Sequence, residues 1–203
     1  MSGPPPIAAV VFDVGHVLVD ADYGPFLRLL EDHGVRANSM DEACERIGLA
    51  AHEAGRLGAD DFLDRIDALA VRRFDRARLL AEWNGMYRAV EPMLALARGL
   101  AATHRVHLLS NMGEIHWAHL EAAFGIPSLG HGAVASWEAR CLKPEPAIYA
   151  EAERRFALRP AHTLFVDDRA DNCAAAIARG WRAIRHVSPE RTRRELATLG
   201  LPV

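Results

Sequence analysis

The sequence predicts an α/β fold: a parallel β-sheet layered between helices, with an all-helical segment inserted after the first strand. Three observations carry this expectation. Short, continuously apolar runs end abruptly in acidic or hydroxyl residues. Stretches of helical spacing alternate with such runs through the second half of the chain. Between residues 20 and 90 the alternation stops, and only helical patterns remain.

The first run, IAAVVF at 7–12, stops at Asp13-Val14-Gly15. A short run with no polar alternation reads as a strand buried on both faces, as in a parallel sheet. The insertion follows, with helices expected over 26–33, 39–53, 60–74 and 76–87. The alternation then resumes. A helix over 93–103, with Pro92 near its start, leads to the strand RVHLL at 105–109, which ends in Ser110-Asn111. A helix over 115–124 is closed by Gly125, and a weaker strand is expected over 133–136. A helix over 146–158 precedes the strand TLFV at 163–166, which ends in Asp167-Asp168. A helix over 172–179 closed by Gly180, a weaker strand over 181–187 and a helix over 190–199 complete the series.

Composition fits that architecture and excludes several functions. The chain has 203 residues, 50% hydrophobic and 25% charged, enough for one full domain with an insertion. A net charge of −3 gives no reason to expect nucleic acid or an anionic membrane as partner. Cys44, Cys141 and Cys173 show no paired spacing, so neither a disulfide framework nor a zinc site is expected, and a reducing compartment suits them. The ten histidines are dispersed, without the spacing of a zinc helix motif. MSGPPP carries no basic start, and 7–12 is too short for a signal core or a membrane span, so a cytoplasmic location is the default expectation.

In open parallel sheets, ligands bind beyond the carboxyl ends of the strands. The residues expected there are Asp13, Ser110 and the pair Asp167-Asp168, with Lys143 ahead of a further helix. Taken singly each has an ordinary explanation: Asp and Ser cap helices and form turns, and a lone Lys is usually solvated. Together they suit phosphoryl transfer. A carboxylate can attack phosphorus and form an acyl phosphate. Several anions crowded around a phosphate repel it unless a hard cation is bound, and magnesium is the usual one. Asp13 and Asp168 can hold the metal, with a backbone carbonyl such as that of Gly15. Lys143 neutralises the remaining charge. The Ser110 hydroxyl and nearby amides position the phosphate oxygens.

At this point the sequence resembles the haloacid dehalogenase (HAD) superfamily. Four segments carry the resemblance, in order: FDVGHVLVD at 12–20, LLSN at 108–111, KPEPAIY at 143–149 and FVDDRADN at 165–172. Within it the chain is similar to the bacterial subgroup that includes α-D-glucose-1-phosphate phosphatase and the phosphatase domain of soluble epoxide hydrolase. The stretch HEAGRLGADDF at 52–62 is similar to that subgroup's cap. The resemblance implies a three-layer Rossmann-like core formed by 1–20 and 90–203, with a C1-type helical cap over 21–89. It implies a magnesium-dependent hydrolase of small phosphomonoesters, sugar phosphates first. Asp13 is then nucleophile and magnesium ligand, Gly15 supplies a carbonyl, and Asp168 is the other side-chain ligand. Ser110 and the amide of Asn111 bind phosphate, Lys143 stabilises nucleophile and phosphoryl charge, and Asp167 and Asn172 order the surroundings.

Two positions depart from the pattern. Most such phosphatases carry a second Asp two residues after the nucleophile as general acid and base, where this chain has Gly15, as the similar subgroup does. The leaving-group proton then lacks an obvious donor, and because general acid–base help is worth about 10²- to 10⁴-fold in rate, slow turnover or restriction to good leaving groups is expected. The adjacent His16 is one candidate substitute. Arg140 stands where relatives usually have Gly. Substrate choice is expected to fall to the cap, with His52, Glu53, Arg56 and Asn84 as polar candidates and Trp83 and Tyr87 as packing ones. His116 is expected to approach the site mouth from its helix. The rivals are a metal-free 2-haloacid dehalogenase, a mutase, and a catalytically silent fold that binds a phosphorylated ligand. A second carboxylate beside a metal-free anion site disfavours the first.

Overall fold

The computed structural model describes residues 5–37 and 39–203. The opening residues MSGP, on which the expectation of no leader partly rests, lie outside the described residues.

The chain begins with β1 (Ala9–Phe12) and a tight turn into β2 (Val19–Ala21). Five helices follow: α1 (Gly24–Asp32), α2 (Met40–Ile47), α3 (Leu49–Glu53), α4 (Ala59–Ala68) and α5 (Arg76–Asn84). The return is β3 (Tyr87–Ala89). The rest alternates: α6 (Glu91–Ala101), β4 (Arg105–Ser110), α7 (Glu114–Phe124), β5 (Ala133–Ala135), the one-turn α8 (Ser136–Ala139) and α9 (Pro146–Phe156). Then come β6 (Thr163–Asp167), α10 (Ala170–Ala178), β7 (Arg182–Arg185) and α11 (Pro189–Thr198).

β1, β4, β5, β6 and β7 form one parallel sheet in the order β5-β4-β1-β6-β7. Side chains alternate across it. Val10, Phe12, Val106, Leu108, Leu164 and Val166 face α6, α7 and α11, where Leu94, Ala97, Leu120 and Leu196 complete one core. Ala9, Val11, Leu109 and Phe165 face α9 and α10 and pack on Ile148, Tyr149, Ala152 and Ala176. This is the expected three-layer α/β architecture.

The helices of the insertion have a separate core of Phe26, Leu30, Ile47, Phe62, Ile66, Leu79 and Trp83. Their ends follow local chemistry. Ser39 accepts the Glu42 N–H at 3.1 Å, and Asp75 accepts those of Ala77 and Arg78 at 2.8 and 3.1 Å, as N-caps do.

Two expectations are corrected. The stretch 20–90 is not helical throughout: β2 and β3 pair antiparallel, Val19 opposite Ala89 and Ala21 opposite Tyr87, and form the stem of the insertion. Three-residue strands are too short to show alternation, and Tyr87 also fits the end of a helical pattern. The helix expected over 39–53 is broken at Gly48, which takes φ 77° at little cost because it lacks Cβ. Among the described residues, no helix is long and apolar enough to cross a membrane.

Candidate active site

β1 and its neighbours β4 and β6 end side by side, and each delivers a polar group to that edge. Asp13 continues the ladder of β1, its N–H bonded to Val166 O at 2.9 Å. The following turn is fixed by its apolar residues: Val14, Val17 and Leu18 are fully buried, and the N–H groups of Leu18 and Val19 donate to Val14 O at 2.8 and 3.0 Å. Gly15 and the exposed His16 are thereby left at the rim of a cleft of about 490 Å³.

Lys143 reaches the same point from the turn before α9. Its Nζ lies 2.7 Å from Asp13 Oδ1 and 2.7 Å from Asp167 Oδ2, with the Lys143 side chain 1% exposed. The turn is held by Asn111, whose Oδ1 accepts the Lys143 N–H at 2.7 Å and whose Nδ2 donates to Lys143 O at 2.9 Å. Asp167 is committed in turn: it accepts from Lys143, from the Arg169 N–H at 2.8 Å, and from Asn172 Nδ2 at 3.0 and 3.1 Å. A buried ammonium between two carboxylates needs this degree of hydrogen bonding to offset its desolvation.

The electrostatics are unbalanced. Carboxylate oxygens of Asp13, Asp167 and Asp168 lie within 4.8 Å of one another. Burial pushes the Asp13 carboxyl up to about 7; Lys143 opposes this and Asp167 adds to it. Burial alone would lower the Lys143 ammonium, but Asp13 and Asp167 outweigh it and hold it above the usual lysine value. Arg169, the other cation at the cleft, is already paired with Asp171 at 2.7 Å. An oxygen-rich, anion-heavy cluster of this kind fits a hard divalent cation. The Ser110 hydroxyl, buried at the end of β4, has no hydrogen-bond partner among the described residues. An orphaned buried donor beside this cluster suits an anionic oxygen.

The cleft thus gathers Asp13, Gly15, His16, Asn111, Lys143, Asp168 and Asn172 along its walls. Ser110, at the end of β4, and Asp167, bonded to Lys143, are buried and do not line it. Asn111 differs from expectation in one respect: its side chain braces Lys143.

His52 and Arg56 are not brought to the cleft. His52 is buried in the insertion, stacked on Phe62 at 4.2 Å with Nδ1 donating to Leu57 O at 3.0 Å. Arg56 is exposed on the turn beyond α3. The reason is geometric. Successive residues of a helix point about 100° apart, so with His52 turned inward the next residue, Glu53, faces the cleft. The chain then reverses at Gly55, with φ 65°, before a helical face can carry Arg56 round. Trp83 is insertion core, and His116 is buried behind Tyr87, its Nε2 3.0 Å from Trp83 O. Arg140 takes a left-handed φ of 54°, the conformation a Gly adopts freely, and its Nη1 donates to Gly55 O at 3.3 Å.

The cleft also contains Tyr23 and Met112, which no motif marked, Glu53 from the end of α3 and Tyr87 from β3. Burial, then Asp13, push the Glu53 carboxyl up to about 8, with Lys143 opposing.

Comparison with known proteins identifies the family and bears out the fold. Residues 7–180 match the family model described as haloacid dehalogenase-like hydrolase. The chain is 26% identical over 212 residues to D-ribitol-5-phosphate phosphatase of Bacteroides thetaiotaomicron, covering 95% of this chain and 98% of that one. It is similar to the crystal structure of a HAD family enzyme from Bacteroides thetaiotaomicron, with a TM-score of 0.81, 25% identity and coverage of 90% and 95%. Another crystal structure of that enzyme, wild-type and in complex with magnesium and inorganic phosphate, gives 0.80, 24%, 89% and 94%.

Proposed function

Because the chain belongs to the haloacid dehalogenase-like hydrolases, we propose that it is a magnesium-dependent phosphohydrolase of small phosphomonoesters, of sugar-phosphate type, acting through an aspartyl phosphate on Asp13. The observation that carries this reading is the meeting at one cleft of Asp13, Lys143 and a carboxylate cluster that fits a divalent cation, with the unpartnered Ser110 hydroxyl buried at the end of the adjacent strand β4. The relative that is a D-ribitol-5-phosphate phosphatase supports a phosphorylated polyol or sugar as substrate, and the neighbour crystallised with magnesium and phosphate supports the metal.

In this reading Asp13 attacks phosphorus. Lys143, held between Asp13 and Asp167, keeps the nucleophile oriented and offsets phosphoryl charge. Ser110 and the Asn111 amide receive the equatorial oxygens. Asp13, Asp168 and the Gly15 carbonyl would hold magnesium, whose charge would screen the phosphate from the carboxylates. Asp167 and Asn172 fix Lys143 and the floor of the site. His16 lies at the rim, within reach of the substrate's distal end. The catalytic core domain is assigned to 1–20 and 90–203, and a C1-type helical cap to 21–89.

The test is phosphate release from para-nitrophenyl phosphate and a panel of sugar and polyol phosphates, with and without magnesium, beside Asp13→Asn. Magnesium-dependent release that falls by more than about 10³-fold in the variant is expected. Release that persists in Asp13→Asn would sink the mechanism, and chloride release from a 2-haloacid would revive the dehalogenase reading.

A further inference from the structure

Gly15 leaves the core side without the carboxyl donor, His16 sits exposed at the rim, and the other wall of the cleft offers a carboxyl. We propose that Glu53, at the end of α3, is the general acid and base of the reaction, taking the place of the missing carboxyl at Gly15; this rests on the phosphohydrolase reading above.

Four observations support the assignment. Glu53 lines the same cleft as Asp13 and Gly15. A Cβ built on Gly15 meets nothing within 4 Å, so sterics do not exclude an acid there; none is present. The Glu53 backbone is fixed to the core: the Ser136 hydroxyl donates to Glu53 O at 2.6 Å while accepting the Met112 N–H at 2.9 Å. Its carboxyl group has no hydrogen bond or ion pair among the described residues, unlike Asp13 and Asp167, which share Lys143. The ionisable groups around it are Asp13 and Lys143 at the sheet edge, Tyr23 and Tyr87 beside the stem, and Cys44 on α2. An ionised carboxylate here would face Asp13 and an incoming phosphate, whereas the protonated form, favoured by burial up to about 8, can donate.

The chemistry balances. An Asp13 oxygen bonds to phosphorus as the bond from phosphorus to the leaving oxygen breaks. That oxygen keeps the electron pair and takes the Glu53 proton, leaving as the alcohol. The Glu53 carboxylate then takes a proton from water as the water oxygen attacks the aspartyl phosphate. The bond from phosphorus to Asp13 breaks, and inorganic phosphate departs with Asp13 ionised and Glu53 protonated again.

The test is rapid-mixing kinetics of wild type, Glu53→Gln and Asp13→Asn, with magnesium, on para-nitrophenyl phosphate and on an alkyl phosphate such as a polyol phosphate. Nitrophenolate leaves without a proton, so Glu53→Gln should still release one equivalent in a burst, followed by slow turnover for want of a base. With the alkyl phosphate the first step should itself fall by about 10²- to 10⁴-fold, with KM little changed. Equal slowing of the first step for both leaving groups, a change in KM alone, or wild-type rates in Glu53→Gln would overturn the role of Glu53 while the phosphohydrolase reading stands. A wild type with no Asp13-dependent turnover of either substrate would overturn both.

Discussion

His107 lies in β4 with its ring stacked on Phe156 at 4.1 Å, and its ring nitrogens make no well-formed hydrogen bond among the described residues, the Gly132 backbone only weakly favouring the charged form. Burial, with Arg105 and His131 nearby, lowers its pKa to about 4. The unfolded chain takes up that proton near 6.5, whereas the folded chain resists it until about 4. Between those values the unfolded state binds more protons, so stability rises with pH across the window and is lost as pH falls from about 6.5 to about 4. His116, lowered to about 3 chiefly by burial, acts in the same direction. Replacing His107 by Leu removes two nitrogens that lack well-formed hydrogen bonds while keeping an apolar contact with Phe156. The variant should be equal to or about 1 kcal/mol more stable than wild type at pH 7.5, and its acid unfolding midpoint should move to lower pH. Circular dichroism across pH checks this, and an unmoved midpoint would discharge His107. None of it was visible in RVHLL, where His107 is simply one polar residue in an apolar strand.

Among elements, the joint between α3 and α8 decides how the insertion sits on the core. Gly55 has φ 65°, and a Cβ there would lie 2.1 Å from Trp137 O. Close by, Ser136 donates to Glu53 O at 2.6 Å and Arg140 donates to Gly55 O at 3.3 Å. Gly55→Ala therefore carries a left-handed penalty of about 1–2 kcal/mol and a clash that only displacement of α3 relieves. The melting temperature should fall by several degrees and KM should rise several-fold, because the wall bearing Glu53 and the stem bearing Tyr87 shift together. Calorimetry with steady-state kinetics would show it, and wild-type values for both would mean the joint is compliant. The sequence marked α3 as helical, but Gly48 divides what the spacing joined over 39–53. That break sets the rotation that turns His52 inward and Glu53 outward.

The whole molecule concentrates negative charge at one edge of its sheet. Asp13, Asp167 and Asp168 meet there against Lys143, and folding alone leaves that repulsion in place. Magnesium binding should relieve it in the native state only. At a concentration of 100 Kd the stabilisation is about 2.7 kcal/mol. For a chain of this size each kcal/mol raises the melting temperature by about 2–4 °C, so a rise of about 5–10 °C is expected. Asp168→Ala should abolish that rise while melting normally without the metal. Scanning calorimetry with and without magnesium measures it, and an unshifted wild type would mean that the cluster holds no cation.

By itself the sequence determined the layered parallel sheet, the existence of a helical insertion and the residues at the strand ends. Those features rest on local rules: short apolar runs bury on both faces, and Asp13, Ser110 and Asp167-Asp168 follow their strands directly. Lys143 was legible because its segment stood in order with the others. Tertiary structure alone decided the opposite wall of the cleft. Tyr23, Glu53 and Tyr87 are separated by 30 or more positions and meet because β2 pairs with β3 and α3 docks on α8. It also decided that Asn111 braces Lys143 and that His52 and Arg56 stay away. The physical reason is that hydrophobic spacing fixes which face of an element is buried, whereas the side chain that reaches a cleft depends on how two separately packed cores are rotated against each other.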